Sequence, residues 1–147
     1  MAFLKNFDLS CAISQVVDPD TITADTDGSS VDMKGYDCCT FVALVGESGD
    51  TLATALYIEL EVEESDDDSS FTDAADADVK GYVAGNNDGC FAYIDAADED
   101  DTVYHCTYHG SSRYVRPVIN VTGTHSSGTP IGIIAIRHAK HGAAPSV

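Results

Sequence analysis

The sequence predicts an all-β fold, an antiparallel β-sandwich or jelly-roll-like barrel that forms a single domain over residues 1–147. Short segments with strand-like alternation recur at a spacing of roughly ten residues and are separated by turns rich in Gly, Asp and Asn. No long stretch has the 3.6-residue periodicity of an amphipathic helix. With 147 residues, of which 44% are hydrophobic, the chain can bury one sizeable core.

The clearest strand signal lies in the segment Leu56 to Thr72. Its first half alternates aliphatic residues with Tyr57 and glutamates, which is the pattern of a strand with one face on the core. The polar run Ser65 to Ser70 reverses the chain, and Phe71 and Thr72 begin a returning strand. We therefore expect a β-hairpin whose outer face and tip consist of solvent-exposed carboxylates.

Two further strands are predicted before this hairpin. Ser14 to Val17 forms a short strand, and Asp18-Pro19-Asp20 forms a turn after it, because proline fixes its own φ and disfavours helix at the preceding residue. Cys39 to Val45 is apolar at every position except Thr40, so it is predicted to be a central strand.

After the hairpin, a loop or one helical turn is expected at Ala74 to Asp78, and the acidic run Asp95 to Asp101 is expected to be a solvated loop. The strands predicted in this part of the chain are Cys90 to Ile94, Thr102 to Tyr108, Arg113 to Thr122 and Pro130 to Arg137. Pro117 has no N–H to donate, which makes its strand an edge strand or marks a bulge.

Net charge is the most unusual property of the sequence. The 25 acidic and 7 basic residues give −18, whereas a magnitude of about 2 to 8 suits a small soluble domain. Nucleic acid is not expected as a direct partner, because phosphate binding depends on Lys and Arg side chains.

The charges are also unevenly distributed along the chain. All acidic residues lie between Asp8 and Asp101, whereas residues 102–147 contain no Asp or Glu. The basic residues of this acid-free part are Arg113, Arg116, Arg137 and Lys140. They either form a basic patch for an acidic neighbour, including another copy of the chain, or mix with the carboxylates as distant strands pair.

The cysteine pattern favours a reducing compartment. The chain has five cysteines, an odd number, and none of them forms a CxxC pair, which predicts mostly buried free thiols. The N-terminal residues lack the apolar core of a signal peptide. The longest apolar run, Ile131 to Ile136, is far shorter than the roughly 20 residues of a membrane-spanning helix. We expect no membrane partner.

The carboxylates suggest calcium, but no established calcium motif is present. An EF-hand alignment on Thr23 to Lys34 fails because its first and twelfth positions are Thr and Lys. A looser site at Asp66 to Asp68 or at Asp98 to Asp101 stays open, with solvated acidic loops as the alternative.

Zinc and catalytic patterns are weaker still. The clusters His105, Cys106 and His109, and His138 with His141, contain zinc-ligand residue types without the paired spacing of a zinc site. The sequence contains no nucleophile-elbow, phosphate-loop or dinucleotide-binding motif. We therefore expect a protein that is not an enzyme and that uses no metal and no cofactor.

Four segments taken together resemble a known class of proteins. They are DGSSVDMKGYDCCTFVALVG, ELEVEESDDDSSFTDA, SSRYVRPVINVTG and IGIIAIRHAKH, and they extend over residues 27 to 140. In this order they resemble the decoration proteins of tailed bacteriophage heads, also called cement or auxiliary capsid proteins. Five cysteines and a strong acidity depart from the usual pattern of that class.

The resemblance implies a virion component that is assembled in the host cytoplasm. Such a protein binds the exterior of the shell built by the major capsid protein, commonly as a homotrimer, and stabilises the shell against the pressure of the packaged DNA. The alternatives are a tail or head-tail joining protein, or a β-sandwich module that binds glycan or calcium. Exposed aromatic residues at one end of the sandwich would support the last alternative, and the candidates are Tyr82, Phe91, Tyr93, Tyr104 and Tyr108.

Two groups of residues are the predicted contacts with the capsid or with a sister subunit. One is apolar and lies in an N-terminal arm of about residues 1–12: Phe3, Leu4 and Phe7. The other is basic and ends in a flexible C-terminal tail of about residues 138–147: Arg113, Arg116, Arg137 and Lys140. The alternative for Arg113 and Arg116 is pairing with carboxylates of their own chain.

Overall fold

Residues 11–139, the part of the chain that the computed structural model describes, form eleven strands. In chain order these are β1 (Cys11–Ile22), β2 (Thr26–Asp27), β3 (Val31–Asp32), β4 (Tyr36–Val45), β5 (Tyr57–Ser65), β6 (Thr72–Asp73), β7 (Val79–Lys80), β8 (Cys90–Ile94), β9 (Thr102–Tyr108), β10 (Tyr114–Thr122) and β11 (Thr129–Ala139). A single 3₁₀ turn at Asp76–Asp78 lies where the sequence predicts a loop or helical turn.

The strands form two antiparallel sheets that pack face to face. Sheet A has the order β1-β11-β4-β9-β7, and sheet B has β10 and β5 at its centre. Strands β2 and β3 flank β10, while β6 and β8 flank β5. This architecture confirms the predicted all-β sandwich. No helix in residues 11–139 has the length and apolarity of a membrane span.

The core fills the space between the sheets. Its largest fully buried side chains come from both of them: Tyr108, Phe41, Ile58, Leu60, Ile94, Ile119, Ile131 and Ile133. On β4 the alternation is strict, since Phe41 and Ala43 are fully buried while Leu44 is 58% exposed. Strand β4 pairs with β11 on one side and β9 on the other, so the prediction of a central strand is confirmed.

Strand β1 corrects the predicted turn at Asp18-Pro19-Asp20. The strand continues to Ile22, and its register against β11 shifts between Gln15 and Val17 and again between Val17 and Asp20. Pro19 lies in the second irregularity, where it has no partner on β11. Its missing N–H therefore costs the ladder no hydrogen bond. Because β1 is the edge strand of sheet A, it tolerates a proline that a central strand would not.

The expectation that Pro117 makes its strand an edge strand or marks a bulge is wrong for β10. This strand is not an edge strand, because it pairs with β5 along its whole length and with β2 and β3 on the other side. The carbonyl oxygen of Pro117 accepts from the N–H of Gly28, in the gap between β2 and β3. Since N and O of one strand residue point the same way, the absent N–H of Pro117 also faces this gap.

The predicted hairpin is present as β5 and β6, with Glu63 opposite Asp73. The expectation that its outer face is solvated is wrong at two positions. Glu59 and Glu61 are each only 3% exposed, because the segment 81–89 crosses the outer face of β5. The backbone N–H of Asn86 donates to Glu59 Oε1 over 2.6 Å, and a Cβ on Gly85 would lie 2.5 Å from the same oxygen.

The described part of the chain begins and ends inside sheet A. Strand β1 starts at Cys11 and β11 ends at Ala139, and the two pair along their length with Cys11 opposite His138. The predicted contact residues Phe3, Leu4, Phe7 and Lys140 lie outside the described residues.

Candidate functional site

The outer face of sheet A carries no carboxylate at the outward positions of β4, β9 and β11. We call it the neutral face and define it by its aliphatic residues: Ile13, Val42, Leu44, Val103, Ile134 and Ile136. Strand register aligns them in rows, because Ile13 pairs with Ile136 and Leu44 pairs with Val103. The remaining outward positions of these three strands carry a thiol, hydroxyls, imidazoles, a glycine and a proline.

The neutral face is open to solvent. Ile13, Leu44 and Val103 are 57%, 58% and 52% exposed, and they are three of the five large hydrophobic side chains exposed among residues 11–139. The other two, Tyr82 and Val83, lie in the segment that crosses sheet B. Scattered single hydrophobic residues are normal on a surface, whereas an apolar row on one sheet face marks an interaction surface.

A hollow of about 580 Å³ lies at one end of the neutral face. Its apolar wall is formed by Pro19, Leu44, Val103 and Pro130, and Asp20 and Asp101 contribute to its lining. The irregular part of β1 forms one side of the hollow, because Pro19 lies against Gly132 of β11. The hollow gives the neutral face a concave end, which a protruding apolar side chain of another protein would fill.

All five cysteines are free thiols. Cys39, Cys90 and Cys106 are buried, and burial raises the pKa of the Cys39 and Cys90 thiols to about 12. Cys11 and Cys38 are half-buried on the neutral face on either side of His138, whose Nδ1 lies 3.5 Å from Cys11 Sγ. The three buried thiols serve as small core side chains.

The outer face of sheet B is acidic, in contrast to the neutral face. Glu59, Glu61 and Glu63 follow one another along β5, and Asp73 stands beside Glu63 on β6. Both carboxylate oxygens of Glu59 accept hydrogen bonds, one from the backbone N–H of Asn86 and one from the Asn86 side chain. We call the set Glu61, Glu63 and Asp73 the carboxylate cluster, since one oxygen of each lies within 4.8 Å of the others.

Glu61 is the unusual member of the cluster. Its Oε1 accepts from Asn120 Nδ2 over 2.5 Å, whereas its Oε2 is buried without a hydrogen-bond partner among the described residues. Burial is the main cause that raises the pKa of Glu61 to about 7, and the charges of Asp73, Glu63 and Glu59 raise it further. The hydrogen bond from Asn120 opposes the shift.

Arg116 is the cation at the centre of the acidic face. Its guanidinium lies 2.6 Å from Glu63 Oε2 and 3.1 Å from Asp27 Oδ2, and it stacks over the Phe71 ring at 4.2 Å. These contacts fix Arg116 between β2, β5 and the hairpin tip. It bridges the strands of its own sheet and is only 21% exposed.

Arg113 and Arg137 also contact their own chain. Arg113 binds both carboxylate oxygens of Asp32, which holds the pKa of Asp32 below its usual value. Arg137 donates to the Asp32 backbone carbonyl over 2.8 Å and lies over the Tyr36 ring. Among the described residues the arginines thus mix with carboxylates and form no separate basic patch. Their role in capsid contact stays a prediction.

The two acidic loops that the sequence left open for calcium use their carboxylates internally. Asp67 Oδ1 accepts from Ser65 Oγ and from the backbone of Ser69 and Ser70, and these bonds lower the pKa of Asp67 to about 2. In the other loop, Asp100 accepts from the backbone N–H of Ser48. These bonds stabilise both loops.

The cluster His105, Cys106 and His109 does not converge, and His141 of the other histidine pair lies outside the described residues. His105 is exposed on the neutral face while Cys106 is buried in the core, so the two point to opposite sides of β9. Of the aromatic residues considered for a glycan site, Phe91 and Tyr108 are buried and Tyr104 donates to the Glu99 carbonyl. Tyr82 is 53% exposed, and the ring of Tyr93 stacks on that of Tyr57 with centroids 4.7 Å apart.

The comparisons with known proteins concern the fold. No family model matches the sequence, and no curated protein matches it. The SPBc2 prophage-derived protein YomS is similar in structure, with 14% identity over 86% of this chain and 93% of that one and a TM-score of 0.41. The capsid of Ralstonia phage GP4 has 10% identity over 91% and 86% of the two chains and a TM-score of 0.40.

A carbohydrate-active enzyme is similar to the same degree. The Clostridium thermocellum endo-1,4-β-D-xylanase 10B, a structure of its CBM22-1 and GH10 modules with xylohexaose, has 13% identity and a TM-score of 0.42. The match covers 93% of this chain and 26% of that chain.

Sequence reasoning missed both surfaces for identifiable reasons. The double-sided apolar pattern of Cys39 to Val45 predicts burial on both faces, yet the outer face of β4 is open. The absence of Asp and Glu from β9 and β11 was the available signal for the neutral face. The burial of Glu61 had no local signal, because the segment that covers β5 lies twenty or more residues downstream.

Proposed function

We propose that this protein is a structural component of a tailed-phage virion that binds the exterior of the capsid through its neutral face. The single observation that carries the proposal is the polarity of the sandwich, with a carboxylate-rich outer face on sheet B and, on sheet A, an aliphatic outer face without carboxylates on β4, β9 and β11. The sequence resemblance to head decoration proteins supports the same role.

The charge distribution favours this orientation. A chain with net charge −18 is repelled by acidic surfaces and by copies of itself, and the repulsion is smallest where carboxylates are absent. The neutral face therefore contacts the major capsid protein, while the acidic face points to solvent. Exposed carboxylates there keep a densely covered particle soluble.

The contact needs only modest energy per copy. Completing the burial of Ile13, Leu44 and Val103, each about half exposed, contributes about 1 kcal/mol per side chain. Many copies act together on a symmetric shell, and subunit contacts within a trimer make the binding multivalent. Stabilisation of the shell then results from a large number of weak contacts that span neighbouring capsid subunits.

The test is occupancy on particles made from the capsid protein of the same genome. The double variant Leu44→Glu and Val103→Glu places two charges in the centre of the neutral face and should abolish binding. The matched control Tyr82→Glu and Val83→Glu puts the same charges at the other exposed hydrophobic residues and should bind normally. Equal occupancy of the two variants would refute docking through the neutral face.

Copy number and solution mass test the rest of the proposal. A decoration protein is present in hundreds of copies per particle, whereas a tail or head-tail joining protein forms one ring with few copies. Sedimentation of the full chain should give about three times the 15.5 kDa mass of one copy if it is a trimer before it binds. Few copies per particle would favour the joining role.

A further inference from the structure

The acidic face contains three carboxylates that converge on one point. Glu61 and Glu63 are two residues apart on β5 and so lie on the same face, and Asp73 is the cross-strand partner of Glu63 on β6. One oxygen from each carboxylate lies within 4.8 Å of the other two, and no other group of three such ligands is this close among residues 11–139.

Acidic clusters are common, but this one includes a buried carboxylate oxygen without a partner. Glu61 is 3% exposed, and its Oε2 accepts no hydrogen bond from residues 11–139. A buried polar atom of this kind carries the full cost of its desolvation unless a ligand, an ion or a proton compensates it. The other oxygen of Glu61 is already used by Asn120.

The surrounding residues do not supply the missing positive charge. The guanidinium of Arg116 binds Glu63 Oε2 and Asp27 Oδ2 and makes no ion pair with Glu61. Glu59 adds a further negative charge on the same face of β5. The Cys90 thiol, on the strand paired with this part of β5, donates to the Ala92 carbonyl and is not directed at the cluster.

We propose that Glu61, Glu63 and Asp73 bind one divalent cation, with Ca²⁺ as the preferred ion. Three carboxylates form an all-oxygen ligand set, which selects hard cations. Ca²⁺ accepts irregular coordination by 6 to 8 oxygens, and waters can complete its shell on the exposed side, where Asp73 lies. The bound ion would join the two-residue strand β6 to β5 and so fix the base of the hairpin.

The site is independent of capsid docking, because it lies on sheet B and the neutral face lies on sheet A. It also differs from the acidic loops considered from the sequence, since those use their carboxylates within the chain. The ion would stabilise the domain whether or not the domain binds a capsid.

The test uses the full-length protein after chelator treatment, titrated with CaCl₂ and separately with MgCl₂ at physiological salt. Calorimetry should show one Ca²⁺ per chain, and thermal unfolding should shift to higher temperature in a saturable manner. Glu61→Gln and Asp73→Asn should each weaken Ca²⁺ binding by tenfold or more. Glu47→Gln is the matched control, because Glu47 is exposed and the substitution removes the same charge as Glu61→Gln.

The outcomes separate the alternatives. No saturable binding by the wild type, or equal affinity of Glu61→Gln and Glu47→Gln, would overturn the site. An equal response to Mg²⁺ would overturn the assignment of Ca²⁺. Circular dichroism of each variant in chelator checks its fold, and Asp73→Asn, on an exposed strand, gives the result if Glu61→Gln does not fold.

Discussion

At the scale of single residues, Glu61 is where the sequence pattern and the structure differ most. A period-2 pattern places it on the outer face of β5, and it is on that face, but the face is covered. Its surroundings are polar and mainly acidic. The groups around it are Glu59, Glu63, Asp73, Asn120 and Cys90, and Arg116 binds its neighbour Glu63.

The first prediction concerns the pH dependence of stability without divalent cations. The pKa of Glu61 is about 7 in the folded protein against 4.5 in the unfolded chain, so the folded state binds the proton more tightly. The contribution of Glu61 to stability is therefore fully present below pH 4.5 and is lost as pH rises through 7. The loss is on the order of 3 kcal/mol.

The comparison with Glu61→Gln isolates this effect from other groups. Urea unfolding in chelator at about pH 5 and about pH 8 should show the wild type losing stability relative to the variant at the higher pH. If the difference in the free energy of unfolding between the two proteins does not change with pH, the pKa of Glu61 is not raised in the folded state.

The second prediction concerns Tyr108, which is fully buried and whose hydroxyl donates to Glu64 Oε2 over 2.5 Å and accepts from the Ser112 backbone. Tyr108→Phe leaves both partners unsatisfied, so the free energy of unfolding should fall by about 1 to 2 kcal/mol. Tyr82→Phe, at a 53% exposed tyrosine, is the control and should change little. Chemical denaturation measures both, and equal effects would contradict the assignment.

At the scale of elements, alternation and turn residues predicted most strands correctly. The predicted strands Cys90 to Ile94 and Thr102 to Tyr108 coincide with β8 and β9. The two errors both involve proline, and both arise because strand pairing partners are not visible in a local sequence. Pro19 is tolerated in the irregular edge strand β1, and Pro117 faces a gap between β2 and β3.

The third prediction tests that gap. A Cβ on Gly28 would lie 2.7 Å from Pro117 Cγ and 2.8 Å from the Pro117 carbonyl oxygen. Gly28→Ala should therefore destabilise the domain by about 1 to 3 kcal/mol, as overpacking does. Ser29→Ala, at the exposed neighbouring position, is the control and should be close to neutral. A neutral Gly28→Ala would show that β2 and β3 can move away from β10.

At the scale of the whole molecule, the linear segregation of charge is partly undone by folding. The arginines of the acid-free part reach carboxylates on sheet B and near β3, because β10 pairs with β5 and Arg137 of β11 lies beside β3. The acid-free strands β9 and β11 instead flank β4, so the outward positions of these three strands carry no carboxylate. The sequence predicts the composition of these strands, but only their order in the sheet places them on one surface.

The last prediction distinguishes the two possible docking chemistries by their salt dependence. Ion pairs between arginines and an acidic shell weaken as salt screens them, whereas burial of aliphatic side chains does not. Occupancy of capsids by the wild-type chain should therefore persist from about 0.05 to about 1 M NaCl, where the Debye length falls to roughly 3 Å.

The comparison uses a variant in which the charges of four basic residues are reversed: Arg113, Arg116, Arg137 and Lys140. If it remains bound while Leu44→Glu with Val103→Glu does not, the neutral face is the contact. Release of the wild type by salt, together with loss of binding by the charge reversal, would assign the contact to the basic residues instead.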